Sequence, residues 1–279
     1  MTVITKITTQ QKNQDRFNIF MDYGKGEEYA FSVDSDVLIR FQLKKGMEID
    51  EFSILEIQFQ DDIRKAYNQA INYLARRMRS EKEIREYLAK KEVEEPIVNE
   101  VLHKLAAQKY INDEEFAFSY IRTQKNTTDK GPDLIRMELR EKGITEGIIK
   151  VVIREYPLEE QVEKAIKVSE KLMKKSSKES QRIAKQKAEQ LLLRKGYPFD
   201  VIHLALNEAD IEKEEDEEME AIRYQGEKAQ KKYSKYSGFE YVQKVKVALY
   251  RKGFSMDLIE KYLEESKNGG GKNATGETI

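Results

Sequence analysis

The chain has 279 residues, of which 36% are charged, with 50 Lys and Arg against 51 Asp and Glu and no cysteine. The mean hydropathy of −0.75 argues against one large globule and favours several small cores with much solvated helix surface. The lack of cysteine excludes disulfides and thiolate metal sites, and no apolar stretch reaches the ~20 residues of a membrane helix. We therefore expect a cytoplasmic protein that does not enter membranes.

A small β-rich segment is predicted at the start of the chain, over residues 1–61. Apolar and polar positions alternate in "RFNIFMDYG" (16–24) and in "EYAFSVD" (28–34), which is the period of a half-buried strand. Gly24 and Gly26 indicate a turn between these two strands. The next stretch, "DSDVLIRFQL" (34–43), is expected to be helical in part.

One phrase then occurs four times and predicts a tandem repeat. Counted from an anchor Leu, each copy has a Lys at +3, a Gly at +4, an apolar residue at +5, and further apolar residues at +9, +10, +13 and +14. The first copy departs from this pattern only at the glycine. The anchors lie 51, 53 and 57 residues apart, at Leu88, Leu139, Leu192 and Leu249.

The phrase describes a helix, a glycine stop and a second helix. In a Schellman ending the left-handed residue after the helix is usually Gly, and the next residue packs on the position four before that Gly. Gly143, Gly196 and Gly253 fit this place, whereas repeat one has Glu92 there and must either strain that residue or end its helix differently. A third helix lies upstream in each copy and is marked by a small residue, at Ala70, Ala117, Ala165 and Ala221.

These signals predict a mainly α fold: tandem three-helix repeats forming an elongated, curved array after the β-rich segment. The boundary near Asp61–Asp62 is where the long first helix of repeat one is expected to begin. The predicted repeats span 62–111, 112–157, 158–206 and 221–265, with an acidic linker or helix start over 207–220 and a disordered tail over 266–279.

Charge is segregated along the chain, and the basic side supplies the candidate partner-binding residues. Residues 164–196 carry 11 basic and 3 acidic side chains, whereas 207–220 carry 9 acidic and 1 basic. For cations at helix ends two interpretations stay open: they stabilise the negative end of the helix dipole, or they line one edge of the stacked repeats and bind an acidic partner. The candidates are Arg76, Arg77, Arg79, Lys174, Lys175, Arg182, Lys185, Arg194, Lys195, Arg251 and Lys252.

Catalytic signals are weak throughout the sequence. The only histidines, His103 and His203, fall in separate predicted helices, and no phosphate-loop or dinucleotide-binding pattern precedes a helix. The acidic residues mostly alternate with Lys or Arg, as on ordinary solvated helices. We therefore assign no catalytic, cofactor or metal residue and expect a non-enzyme without a cofactor; an enzyme with an unrecognised carboxylate pair is the third-ranked alternative.

Two stretches resemble the RecX regulatory protein family, in its longer Gram-positive type. They are "AINYLARRMRSEKEIREYLAKKEV" (Ala70–Val93) and "LAAQKYINDEEFAFSYI" (Leu105–Ile121), and the glycine junctions follow them in order. The resemblance covers about residues 60–265. A fourth repeat and the acidic run over 207–220 depart from the family pattern.

The resemblance implies a regulator that binds the filament of the RecA recombinase on single-stranded DNA. Such a regulator restrains recombination, ATP hydrolysis and co-protease activity in DNA repair and the SOS response. The expected partners are the filament and single-stranded DNA, bound directly or within it, and the protein is expected to be a monomer. The alternative is a helical-repeat module that binds nucleic acid by itself, although the acidic last helix "MDLIEKYLEE" (Met256–Glu265) would make a poor phosphate-binding face.

Overall fold

A computed structural model describes residues 2–208 and 215–270. The described residues form two compact units. The first comprises residues up to 119 together with 139–148, and the second comprises 120–138 and the described residues from 149 onward. The predicted fold class is confirmed, since a small sheet is followed by helices arranged in groups of three.

A four-stranded antiparallel sheet opens the first unit. Its strands are β1 (Thr2–Thr9), β2 (Arg16–Asp22), β3 (Glu27–Asp34) and β4 (Glu48–Ile49), in the spatial order β3-β2-β1-β4. The turn between β2 and β3 contains Gly24 and Gly26 as predicted, both with positive φ, and the Asp22 carboxylate accepts their two N–H groups. The alternation over residues 16–34 did not reveal β1, whose only signal is a run of β-branched residues.

The long helix α2 (Glu51–Leu74) is shared between the sheet and the first repeat. It begins at Glu51, because Asp50 caps it by accepting the N–H of Ser53 at 2.7 Å, and not at the predicted boundary near Asp61–Asp62. Its first half packs Ile57 into the core of the sheet, and its second half packs Ala66 and Ala70 into the core of repeat one. The short helix α1 (Ser35–Arg40) confirms the helical part expected after β3.

A buried carboxylate fixes the sheet to α2. Asp61 is 1% exposed and lies 2.8 Å from the Arg16 guanidinium and 2.9 Å from the Lys65 ammonium. It also accepts the backbone N–H of Asp34 at 2.7 Å. A buried charge is stable only when it is paired and hydrogen-bonded, and Asp61 has both kinds of partner.

The remaining helices follow the predicted grouping in threes. Repeat one consists of the second half of α2 together with α3 and α4. Repeat two consists of α5, α6 and α7, followed by a 3-10 turn, and its residues belong to both units. Repeats three and four lie in the second unit. Their bounds are α3 (Glu81–Ala89), α4 (Glu95–Ala107), α5 (Asp113–Thr127), α6 (Pro132–Glu141), α7 (Glu146–Val152), α8 (Leu158–Lys175), α9 (Gln181–Arg194), α10 (Phe199–Glu208), α11 (Glu215–Tyr233), α12 (Gly238–Arg251) and α13 (Met256–Gly270).

All four anchor leucines and all four marker alanines are buried, at 0–1% exposure. After each anchor the predicted Schellman bond is present: the N–H groups of Val93, Ile144, Tyr197 and Phe254 donate to the carbonyls of Leu88, Leu139, Leu192 and Leu249. Gly143, Gly196 and Gly253 have φ between 81° and 87°, and Glu92 takes the same left-handed place at 60°. Repeat one therefore strains a non-glycine residue.

Two predicted segments fall partly outside the described residues. Within the acidic run, α10 ends at Glu208 and α11 begins at Glu215, and residues 209–214 are not described. The tail predicted to be disordered from 266 begins instead as helix, because α13 continues to Gly270; residues 271–279 lie outside the described part of the chain.

Candidate partner-binding surface

Successive repeats meet at the glycine turns. At each junction a donor at the start of one repeat's second helix binds a carbonyl at the end of the next repeat's second helix. Lys82 Nζ donates to the Glu141 carbonyl at 2.9 Å, the Gly131 N–H donates to the Lys195 carbonyl at 2.7 Å, and Ser180 Oγ donates to the Lys252 carbonyl at 2.6 Å. The final turn of a helix leaves such carbonyls without intrahelical partners, so each junction satisfies one of them.

The close approach at these junctions gives the glycines a second role. A Cβ at Gly253 would lie 2.6 Å from Ser180 Oγ, one at Gly143 would lie 2.7 Å from Lys82 Cβ, and one at Gly196 would overlap the backbone of Leu134. Glu92 has no repeat before it and is exposed. Only the left-handed backbone restricts that position, and a non-glycine residue is tolerated there.

Two of the four lysines that lie three residues after the anchors are ion-paired, so the predicted row of partner-binding cations is not free along its whole length. Lys142 lies 3.3 Å from the Glu83 carboxylate, and Lys195 lies 3.4 Å from the Asp129 carboxylate, so both are ion-paired to the preceding repeat. Burial raises the pKa of Glu83, but the Arg77 guanidinium, the Ser80 N–H and Lys142 outweigh it and hold that pKa below its usual value.

Four candidate cations collect where repeat three meets repeat four. Arg182 and Lys185, near the start of α9, line a cavity of about 700 Å³ together with Gly253, Ser255 and the acidic Glu189 and Glu218. Arg251 ends α12 beside it, and Lys252 is the C-cap residue of that helix. Within the described residues none of the four forms an ion pair, and Arg182, Arg251 and Lys252 are exposed. We name Arg182, Lys185, Arg251 and Lys252 the junction cluster.

The other candidates of the second unit are dispersed. Lys174 and Lys175 end α8 and are exposed. Arg194 is exposed at the end of α9 and donates to the Gln190 carbonyl of its own helix at 3.3 Å. Lys195 is engaged by Asp129, as described above, and is therefore not a free docking charge.

Arg76, Arg77 and Arg79 follow α2 in the first unit and differ in their surroundings. Arg76 is exposed, whereas Arg77 binds the Glu83 carboxylate at 2.7 Å. Arg79 is half-buried with its guanidinium 3.9 Å from the centre of the Tyr73 ring, which stacks on Tyr87. Within the described residues, Arg76 is therefore the one of the three that could meet a partner without giving up such a contact.

In three repeats a tyrosine lies three residues after the marker alanine of the first helix, and all three tyrosines are half-buried. Tyr73 stacks as described, Tyr120 donates to the Glu138 carboxylate at 2.9 Å, and Tyr224 lies between the ammonium groups of Lys178 and Lys228. All three tyrosines therefore make contacts within the protein, as expected of packed side chains rather than of open base-stacking platforms.

Both histidines are exposed and lie on different helices, α4 and α10. Among the residues that the structure describes, no group of three or more His, Asp or Glu side chains is arranged to hold a metal ion. The same residues contain no helix with the length and apolarity needed to cross a membrane.

Sequence reasoning missed one basic group. Arg40, Arg64 and Lys104 come from three helices of the first unit and line one cavity of about 240 Å³. They are dispersed along the sequence, and no local spacing signals that they converge.

Family models match most of the chain. The model of the regulatory protein RecX N-terminal domain matches residues 2–50, and those of the first and second RecX three-helix domains match 66–105 and 112–153. The model of the third RecX three-helix domain matches twice, at 159–206 and at 215–263. The fourth repeat is therefore a second copy of the third-domain type.

Proteins of the same family are similar to this chain over most of its length. Regulatory protein RecX of Bacillus velezensis is 49% identical over 96% of this chain and all of its own length, and that of Bacillus subtilis is 48% identical with the same coverage. A crystal structure of regulatory protein RecX superposes with a TM-score of 0.66 at 38% identity, covering 75% of this chain and all of the other. RecX from Lactobacillus salivarius gives 0.52 at 38% identity, covering 55% of this chain and 99% of the other.

Proposed function

Because this chain belongs to the RecX regulatory protein family, we propose that it binds the RecA recombinase filament on single-stranded DNA and inhibits its recombination, ATPase and co-protease activities. The protein acts in this proposal by binding alone and without a cofactor. Its relatives carry the name of regulatory proteins, which supports a non-enzymatic role.

The junction cluster is the observation that carries this proposal. Its four cations form no ion pair within the described residues, although Glu189 and Glu218 also line the cavity, so the four charges are available to an approaching anion. A filament on DNA is a polyanion, and cations that replace its counterions gain affinity from their release. Lys174 and Lys175 are two further exposed cations of the second unit, at the end of α8.

Repetition makes weak contacts sufficient. A protein built from four similar units can meet several protomers of a filament at once, and linked contacts raise the overall affinity without any strong single interaction. This favours the filament over a short isolated strand as the main target. Direct binding to nucleic acid remains the alternative, supported by the same unpaired cations.

The variant R251E/K252E tests the docking role. Both side chains are exposed, so the free energy of unfolding should change by no more than about 1 kcal/mol. Binding to a RecA filament on single-stranded DNA should weaken, and the salt dependence of the binding constant should become shallower because fewer counterions are released. The control K12E/K25E changes charge equally at exposed positions of the β-rich segment and should bind like the wild type.

Filament binding and direct DNA binding are separated by measuring both. Fluorescence anisotropy with bare single-stranded DNA should show much weaker binding than with the assembled filament, and inhibition of ATP hydrolysis should follow filament binding. Equal affinity for bare DNA and filament would favour the alternative. Unchanged filament affinity in a folded R251E/K252E protein would place the contact surface elsewhere, with Arg76 the next candidate.

A further inference from the structure

A cavity of about 240 Å³ lies in the first unit, between the sheet domain and repeat one. Its basic lining comes from three helices: Arg40 ends α1, Arg64 lies on α2 and Lys104 lies on α4. Gln60, Tyr67 and Gln108 complete the polar part of the wall.

The charge of this cavity is not balanced. Asp36 is the one carboxylate in its lining, and it is held by Arg64 at 2.7 Å. Within the described residues neither Arg40 nor Lys104 has an ion-pair partner. Two cations therefore line a half-enclosed space, and neither of them is ion-paired within the described residues.

The pKa of Lys104 reports the same imbalance. Burial is the largest cause that lowers the pKa of Lys104, and the nearby charges of Arg40 and Arg64 lower it further. The charge of Glu100 opposes them but does not outweigh them. The site is thus one in which positive charge is costly, and an anion bound there would relieve that cost.

The polar groups of the wall are arranged to donate. Arg40 donates to the side-chain oxygen of Gln60 at 2.8 Å, and the Tyr67 hydroxyl donates to the side-chain oxygen of Gln108. Because each amide oxygen already accepts a hydrogen bond, the amide NH₂ groups are what Gln60 and Gln108 can offer to an anion in this cavity.

We propose that this cavity binds a phosphate group, with Arg40 and Lys104 supplying the charge and Gln60 and Gln108 supplying hydrogen bonds. Phosphate offers several acceptor oxygens to match converging donors, and guanidinium and ammonium groups are its usual partners. The group is either a free phosphate or a backbone phosphate of nucleic acid. This inference does not depend on the proposed function, because phosphate binding is measured without RecA.

The first test compares thermal unfolding in sodium phosphate and in sodium chloride at equal ionic strength. A ligand that binds only the folded protein raises the unfolding midpoint with its concentration. The wild type should show this rise specifically with phosphate. The variant R40Q/K104Q should lose it, whereas the control K44Q/K45Q, which removes two exposed cations in the same domain, should keep it.

A second measurement uses the unmodified protein, in case the double variant does not fold. Phosphate should shift the NMR signals of Gln60, Lys104 and Gln108 in a saturable manner and leave those of Lys44 and Lys45 unchanged. Equal phosphate effects on R40Q/K104Q and K44Q/K45Q would overturn the proposal, as would the absence of saturable shifts at the three cavity residues.

Two further arms identify the source of the phosphate. If R40Q/K104Q loses affinity for a thymidine oligonucleotide as well as for phosphate, the site holds a nucleic-acid backbone. If the variant loses affinity for phosphate but not for the oligonucleotide, the site holds a free phosphate or a mononucleotide. Displacement of phosphate by a polyglutamate peptide but not by the oligonucleotide would overturn the assignment in favour of an acidic protein segment.

Discussion

The hydroxyl of Ser180 donates a 2.6 Å hydrogen bond to the carbonyl of Lys252, 72 residues away in the chain. The same oxygen accepts the N–H of Ile183 at 3.3 Å and so caps the start of α9. One buried side chain therefore closes the start of a helix in repeat three and the end of a helix in repeat four. Stacking of these repeats depends on specific polar contacts as well as on apolar burial.

Replacing Ser180 by Ala should cost about 2 kcal/mol of unfolding free energy, since the change removes a helix cap and leaves a carbonyl at the junction unsatisfied. Urea unfolding followed by circular dichroism measures this loss. The control Ser234→Ala alters an exposed serine after α11 and should change stability by no more than about 0.5 kcal/mol. Equal effects of the two substitutions would show that the junction bond is unimportant.

The glycine turns should respond differently in repeats one and four. Gly253→Ala places a methyl group against Ser180 and a side chain in the left-handed region, and should destabilise by at least about 2 kcal/mol. Glu92→Gly removes strain where no repeat approaches, and should be neutral or stabilising by up to about 1 kcal/mol. Thermal unfolding of both variants checks the contrast.

A helical glycine provides the control for this comparison. Gly147 in α7 has open space around its Cβ position and no positive φ. Gly147→Ala should therefore stabilise, by up to about 1 kcal/mol. If Gly253→Ala changes the free energy of unfolding as Gly147→Ala does, the close contact between repeats three and four at Gly253 would be contradicted.

Local signals in the sequence were sufficient for the repeat itself. A Schellman turn is specified within six residues, so the Leu, Gly and apolar positions of each phrase identify C3, C′ and C″ directly, as Leu249, Gly253 and Phe254 show. Alternation likewise identified β2 and β3. The strand β1 was missed because its β-branched residues show no clear alternation.

Contacts between repeats could not be read from the sequence. Lys195 and Asp129 are 66 residues apart, and only the stacking of one repeat on the next brings them together. The continuity of α2 through the predicted boundary was missed for a similar reason. Asp61 and Asp62 suggested a helix start, but Asp61 is buried against Arg16 of the sheet, and that tertiary contact has no local signature.

Glu83 should make stability depend on pH in the acidic range. Its pKa in the folded state lies below the unfolded value of 4.5, so its contribution is present above that pH and is lost as pH falls through the folded pKa. Glu83→Gln should therefore be less stable than the wild type at pH 7, and the difference should shrink towards pH 3. The exposed Glu86 of the same helix supplies the control Glu86→Gln, which should show a smaller, flatter difference. A constant difference for Glu83→Gln across this range would contradict the ionic origin of its contribution.

Among the ion pairs of the first unit, the buried pair of Arg16 and Asp61 should lower the free energy of unfolding most when it is broken. Asp61→Asn keeps an oxygen that can accept the Asp34 N–H but leaves the Arg16 guanidinium, only 15% exposed, without its counter-charge. Breaking a buried ion pair on one side costs about 3 kcal/mol or more, because the remaining charge stays desolvated. The loss should appear in urea unfolding and as faster amide exchange in β2 and β3.

Asp62 is the matched control for Asp61. It is adjacent in the chain and binds the same lysine, Lys65, at 2.9 Å, but its side chain is 51% exposed. Asp62→Asn should therefore cost no more than about 0.5 kcal/mol, since solvent screens such pairs. The double variant Arg16→Met/Asp61→Asn should recover part of the loss of Asp61→Asn, because it removes the unpaired cation. Equal costs for Asp61→Asn and Asp62→Asn, or no recovery in the double variant, would mean that burial of the pair does not anchor the sheet to α2.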